Sequence, residues 1–264
     1  MKVKIYLLGT ASGIPTWNRY CESVAIAIDG GIYMMDAGEP CSASLVRKGV
    51  DLNSIRAVFI SHLDPDHCSG LPMLIQTLEL SQKRTAPLTV YIPGNESSKV
   101  RDYLRMMYLP QEALCFKVDF LDISPKTLLK DGTASVTAHS TGHVAGRLKY
   151  WAEKKGIRGD FSRESFSFKL TAAGKNILYT GDVREMSDLD GCIDGVDVLL
   201  GELAHMEPRK FFDYLKDKKI PQVICLHIHP AWNDREAEIA AMGEQILGRK
   251  ITVGVDGMEL DFDL

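Results

Sequence analysis

The stretch Ser61-His62-Leu63-Asp64-Pro65-Asp66-His67 places two imidazoles and two carboxylates within six residues. It follows the apolar run 57–60, so His62 and Asp64 fall on an extended segment. Their i, i+2 spacing turns both side chains to one side. Pro65 then turns the chain, which puts Asp66 and His67 in the tight turn before a helix entered through Gly70 and Pro72. Nitrogen and oxygen donors gathered in this way suit Zn²⁺, and also Fe or Mn. The competing reading is a helix cap at Asp66 with two surface histidines.

The seven histidines fall in four places: His62 and His67, His139 and His143, His205, and His227 with His229. Apolar runs end in "MMDAGEP", "FISHLDPDH", "LYTGDVRE" and "CLHIHP". Each delivers an acid or an imidazole at a strand end, where a rigid sheet can hold reacting groups while loops vary. Short β-rich runs, from 3–8 to 251–253, alternate along the chain with helical patterns at 43–48, 72–82, 97–107, 208–218 and 235–247. In the last of these, Ile239, Met242 and Ile246 repeat near the helical period. The polar, basic segment 149–163, "KYWAEKKGIRGDFSR", has the character of an insertion or flap.

With 264 residues, 45% of them hydrophobic and 25% charged, the chain has an ordinary globular composition. Its net charge of -4 gives no global basic field for nucleic acid. The N-terminal apolar run is too short for a signal-peptide core or a membrane span. The six cysteines include no CxxC pair, so reduced thiols and a cytoplasmic location are expected, with no membrane partner.

"HLDPDH" followed by "SGLP" resembles the HxHxDH signature of the metallo-β-lactamase superfamily. "LLGTASGIPTWNR", "IYMMDAGEP", "ASVTAHSTGH", "ILYTGD", "VDVLLGELAH" and "VICLHIHP" follow in the order of its ribonuclease Z branch, over nearly the whole chain. The resemblance implies an α/β fold, a four-layer αββα sandwich of two mixed β-sheets flanked by helices, as one domain over 1–264. It also implies two divalent metal ions, with zinc first. His62, position 64 and His143 would hold one ion; Asp66, His67 and His227 would hold the other; Asp182 would bridge them. His139 competes with His143 for its place, and His229 with His227; an Asx turn is the alternative role for Asp182. Asp36 is expected to support a ligand histidine, and the backbone of the loop from Gly9 to Pro15 is a candidate phosphate cradle. Asp66, Glu202 and His205 are the candidate catalytic groups, with Glu202 or His205 protonating the leaving oxygen.

The chain departs from that pattern in three ways. Asp64 stands where the family has a histidine, which hardens the ligand set toward Fe or Mn; flavodiiron proteins of the superfamily also carry a carboxylate there. No glycine- and proline-rich tRNA-gripping arm is evident. No His-Ser-Thr-like segment follows "GELAH", which leaves His205 to fill that place. The function expected is a phosphodiesterase using a metal-bound hydroxide. Its partner would be a small phosphodiester or an RNA, and a homodimer is compatible with this reading. The alternatives are an iron-dependent redox enzyme and a non-catalytic metal- or ligand-binding member of the fold.

Overall fold

Val3, Ile5 and Leu7 are buried while Lys4 and Tyr6 between them are half-exposed, the period-two pattern of a strand. Strand β1 (Lys2–Gly9) forms there. The computed structural model describes residues 2–81 and 84–263. These divide into two compact units, one reaching Ile123 and completed by the segment from Val255, the other Ser124–Gly254. Each unit carries one mixed sheet with flanking helices.

In the first unit β1 pairs antiparallel with β2 (Ser23–Ile28), which pairs antiparallel with β3 (Gly31–Met35). Asp29 and Gly30, both at positive φ, make the tight turn between β2 and β3 that a hairpin of this twist requires. Beyond β3 the pairing becomes parallel through β4 (Ile55–Phe59), β5 (Leu88–Ile92) and β6 (Val118–Asp122). Helices α1 (Cys41–Arg47), α2 (Pro65–Cys68), α3 (Leu71–Leu80) and α4 (Ser97–Met106) fill the connections. Leu45 of α1 and Leu74, Ile75 and Leu78 of α3 pack with Met34, Val58 and Val90 of the central strands. The expected helix 72–82 ends at Leu80; its last position, 82, lies outside the described residues.

The second unit opens with β7 (Thr127–Lys130) and β8 (Ser135–Ser140), followed by α5 (His143–Tyr150), β9 (Phe166–Ala172), β10 (Lys175–Tyr179) and β11 (Val198–Leu203). Then come α6 (Pro208–Leu215), β12 (Gln222–Ile228), α7 (Glu236–Leu247) and β13 (Thr252–Val253). Strands β7 to β10 pair antiparallel, and β10 to β13 pair parallel. Phe211, Phe212 and Leu215 of α6 and Ile239 of α7 cover β11 and β12. Met242 and Ile246 pack partly buried against the same core, as the helical period expects.

Two strands go beyond the sequence reading: β7, and β14 (Glu259–Asp263), which pairs antiparallel with β1. Both lie at sheet edges and are short or acidic, a composition that protects an edge and hides the strand pattern. Helix α5 was also unexpected, because Gly142 and Gly146 flank and interrupt it. The segment 149–163 begins in α5, continues as a π-turn over Trp151–Lys155, turns at left-handed Gly156, and runs on with most of its residues exposed. Among the described residues no helix is long and apolar enough to cross a membrane.

Candidate functional site

In the first unit the chemistry gathers at the ends of β3 and β4. Strand β3 delivers Asp36, whose backbone takes the left-handed φ of 59°. Strand β4 runs on into Ser61 and His62, both fully buried. Asp36 accepts three hydrogen bonds: from the Ser61 N–H at 2.6 Å, from the Ser61 hydroxyl at 2.7 Å and from His67 Nδ1 at 2.7 Å. With its proton given to Asp36, the Ser61 oxygen faces His62 Nδ1 at 3.0 Å as an acceptor. Both imidazoles therefore carry a proton on Nδ1, and each offers the Nε2 lone pair. His62 Nε2 lies 3.4 Å from Asp64 Oδ2, and His67 Nε2 lies 3.4 Å from Asp66 Oδ2.

Asp64 occupies the cap position of α2 without a side-chain cap bond, and Asp66 sits inside that helix. Asp66 instead accepts the Gly13 N–H at 2.7 Å. A capping aspartate with two surface histidines does not describe this arrangement. The Gly13 N–H, one of the amides expected to cradle a phosphate, is turned to a carboxylate. Cys68 packs against the apolar core, and burial pushes its thiol up to about 12.

In the second unit, β10 ends at Tyr179 and the chain turns through Gly181, at positive φ, into buried Asp182. The two carboxylate oxygens of Asp182 face different histidines: Oδ1 is 3.2 Å from His227 Nε2, and Oδ2 is 3.7 Å from His143 Nε2. His227 is the extra residue of a bulge in β12, since Glu202 pairs with Leu226 and Leu203 with Ile228. Its φ of 50° re-aims the ring. His143 opens α5, and Asp188 ties that turn down by accepting the N–H groups of Gly142 and Arg184 at 2.9 and 2.8 Å. Thr141 donates its hydroxyl to the Asp182 carbonyl at 2.8 Å.

Glu202, on β11, is almost fully buried. One of its oxygens accepts the N–H groups of Ala204 and His205, and the other accepts that of Val183 and lies 3.0 Å from His205 Nδ1. Burial pulls the His205 pKa down, but the hydrogen bond and charge of Glu202, with the charge of Asp182, outweigh it and leave the value raised. Donor atoms of His143, Asp182 and His205 lie within 4.8 Å of one another. The two competing histidines sit elsewhere. His139 Nε2 pairs with the Thr137 hydroxyl at 3.2 Å, and burial lowers its pKa; His229 accepts the Ala231 N–H in a short helical turn.

Both clusters are largely buried sets of imidazole nitrogens and carboxylate oxygens 3 to 4 Å apart, with Asp64 and His205 partly exposed and the histidine tautomers of the first set by Asp36. That donor chemistry fits a divalent cation such as zinc, iron or manganese.

The sequence model of one family, the anti-Pycsar protein Apyc1, matches residues 3–198. The chain belongs to the anti-Pycsar Apyc1 family. This Apyc1-family chain is also 33% identical over 162 residues to ribonuclease Z of Pyrococcus abyssi, an alignment covering 61% of the chain and 52% of the relative. It spans about half to three-fifths of the length of the first curated relatives it matches. Among solved structures it is similar to the metallo-β-lactamase-fold protein YhfI of Bacillus subtilis, with a TM-score of 0.74, 15% identity, and 99% and 100% of the two chains covered. It is likewise similar to the short form of human tRNase Z, with a TM-score of 0.70, 19% identity, and 97% and 98% covered. The Apyc1-family chain thus has the metallo-β-lactamase fold, with its two mixed sheets flanked by helices, as the motifs implied.

Ser61, Thr141 and Asp188 went unread in the sequence of this Apyc1-family protein. Each acts by supporting a neighbour, and a Ser, a Thr or an Asp in a loop carries no periodic signal. For Ser61 alone there was a clue, its place directly before the first histidine.

Proposed function

We propose that this chain is a metal-dependent hydrolase of the phosphodiesterase type. The observation that carries the reading is Asp182, whose two oxygens each face a separate imidazole, the disposition of a carboxylate shared between two cations. The ligand set is the one the resemblance implies: His62, Asp64 and His143 for one ion, Asp66, His67 and His227 for the other, and Asp182 between them. When bound, two such ions lower the pKa of a water and offset charge on the phosphoryl oxygens during in-line displacement.

The remaining work falls to the chain's own side chains. Asp36 fixes the ring of His67 directly and that of His62 through Ser61. Asp66, held by the Gly13 N–H, keeps its carboxylate oriented beside His67. His205, a third exposed and anchored by Glu202, donates a proton to the leaving oxygen. Glu202 has both oxygens engaged, so its role is to position and charge His205.

A small phosphodiester is the favoured substrate, because a net charge of -4 offers an RNA little non-specific attraction. The similarity to ribonuclease Z supports RNA as a second reading. Protein purified without added metal is analysed for its metal content, then assayed on a phosphodiester panel with zinc, manganese or iron restored. Activity returning with a divalent ion, and lost in both Asp182→Ala and His67→Ala while the fold survives, is the expected result. A near-native rate in either variant refutes the ligand set, and as-purified iron with no hydrolysis turns the reading to redox chemistry. Steep loss of affinity with salt would select the RNA substrate; a flat response selects the small one.

A further inference from the structure

The loop between β1 and β2 carries an unusual combination of a rigid base and an exposed aromatic tip. Its base is buried and polar. Arg19, 1% exposed, donates to the Thr10 hydroxyl at 2.5 Å; Thr10 in turn donates to Asp256 Oδ1 at 2.7 Å, and the Tyr20 N–H donates to Asp256 Oδ2. Backbone bonds from Ala11 N–H to the Tyr20 carbonyl, at 2.8 Å, and from Thr16 N–H to the Arg19 carbonyl, at 2.9 Å, close the two arms on each other. At the tip Trp17 is 82% exposed, and Ile14 of the same loop is 62% exposed.

The same loop touches the candidate centre, since the Gly13 N–H meets the Asp66 carboxylate. Trp17 follows Gly13 by four positions, a span of at most about 14 Å. An exposed indole within that span of the Asp66 contact suits the planar, apolar face of a nucleobase, whose stacking on an aromatic ring tolerates any base.

We propose that Trp17 is a specificity residue, a stacking platform for the base of a nucleotide phosphodiester whose phosphorus reacts beside Asp66. This deepens the hydrolase reading and rests on it for the chemistry, though base binding itself can be observed without turnover. Two measurements on the full chain separate them. First, quenching of Trp17 emission is followed in a Trp151→Phe/Trp232→Phe background, with a nucleoside 5′-monophosphate and with ribose 5-phosphate as probes. Saturable quenching by the nucleotide alone is expected. Second, KM is compared for a nucleoside methyl phosphodiester and its abasic counterpart. The base should lower KM about tenfold, Trp17→Ala should bring the ratio to about one, and Trp17→Phe should keep most of it.

Quenching without hydrolysis of either diester upholds the platform and rejects the hydrolase reading. Hydrolysis with no selective quenching and an unchanged ratio in Trp17→Ala upholds the hydrolase and overturns the platform. So does a Trp17→Ala variant that changes only self-association, because the indole then packs against a second copy of the chain. Loss of both quenching and turnover overturns both.

Discussion

Asp36 Oδ2 and His67 Nδ1 lie 2.7 Å apart, both completely buried, and the same carboxylate takes both donors of Ser61. One acid thereby sets the tautomers of two imidazoles. In Asp36→Asn the side chain keeps its shape but has one accepting oxygen and two N–H donors, and one of those N–H groups must oppose a donor of Ser61 or His67. Metal affinity is expected to fall 10- to 100-fold, the usual cost of losing such outer support. Zinc titration against a chromophoric chelator, with circular dichroism to confirm folding, measures it. An affinity within about twofold of the parent would show that Asp36 serves only the packing.

Asp64 faces His62 Nε2 at 3.4 Å and is partly exposed, so a side chain there can change without opening a core cavity. Asp64→His replaces a hard oxygen donor by a borderline nitrogen donor. The ratio of zinc to manganese affinity is expected to rise at least about tenfold. Competition between the two ions, read by metal content after equilibrium dialysis, tests this. An unchanged ratio would place Asp64 outside the ligand set.

The Glu202–His205 pair sets a pH dependence. The raised pKa keeps His205 protonated to a higher pH than an ordinary histidine, so a rate that needs its proton falls as pH rises through that value. Glu202→Gln removes the charge and weakens the hydrogen bond that outweigh burial. The basic limb of the kcat profile should then move to lower pH, with a loss of roughly tenfold or more at pH 8, and His205→Ala should lose about 100-fold. A basic limb that stays in place in Glu202→Gln would remove His205 as the acid.

Much of this candidate site was legible because imidazoles and carboxylates at strand ends are a coarse signal. His62, Asp66 and His67 announce themselves by density, and Asp182 by the "TGD" that stops a strand. The rest depends on backbone detail that residue types do not carry. His227 was separable from His229 only by its place directly after an apolar run; the bulge that aims it is visible in the pairing of β11 with β12. The bracing of the Trp17 loop joins residues more than 230 positions apart, Tyr20 and Asp256 among them, through a turn just before a return strand whose acidic pattern hid it. Helix α5 was hidden for a different reason, as Gly146 inside it lowered its propensity while tertiary packing still formed it.

Gly38 joins the Asp36 loop to the segment of Asp66 and His67 with no room for a side chain. Its N–H donates to the Glu22 carbonyl at 3.0 Å, and neighbouring Ala37 exchanges backbone bonds with His67 and Gly70. A Cβ on Gly38 would stand 2.2 Å from the Asp66 carbonyl oxygen and 2.6 Å from that of Glu22. Both obstacles are backbone, so relief requires the two loops to part, carrying Asp66 and His67 away from Asp36. Gly38→Ala is expected to cost about 1–3 kcal/mol of stability or more, as overpacking does. Metal affinity should fall with it, because the displaced segment holds two of the proposed ligands. Gly191→Ala, where a Cβ meets nothing within 4 Å, is the matched control and should stay within about 0.5 kcal/mol. Urea unfolding of both variants in the absence of metal reads the first effect and zinc titration the second. Equal stability of the two would show that the loops can separate without cost.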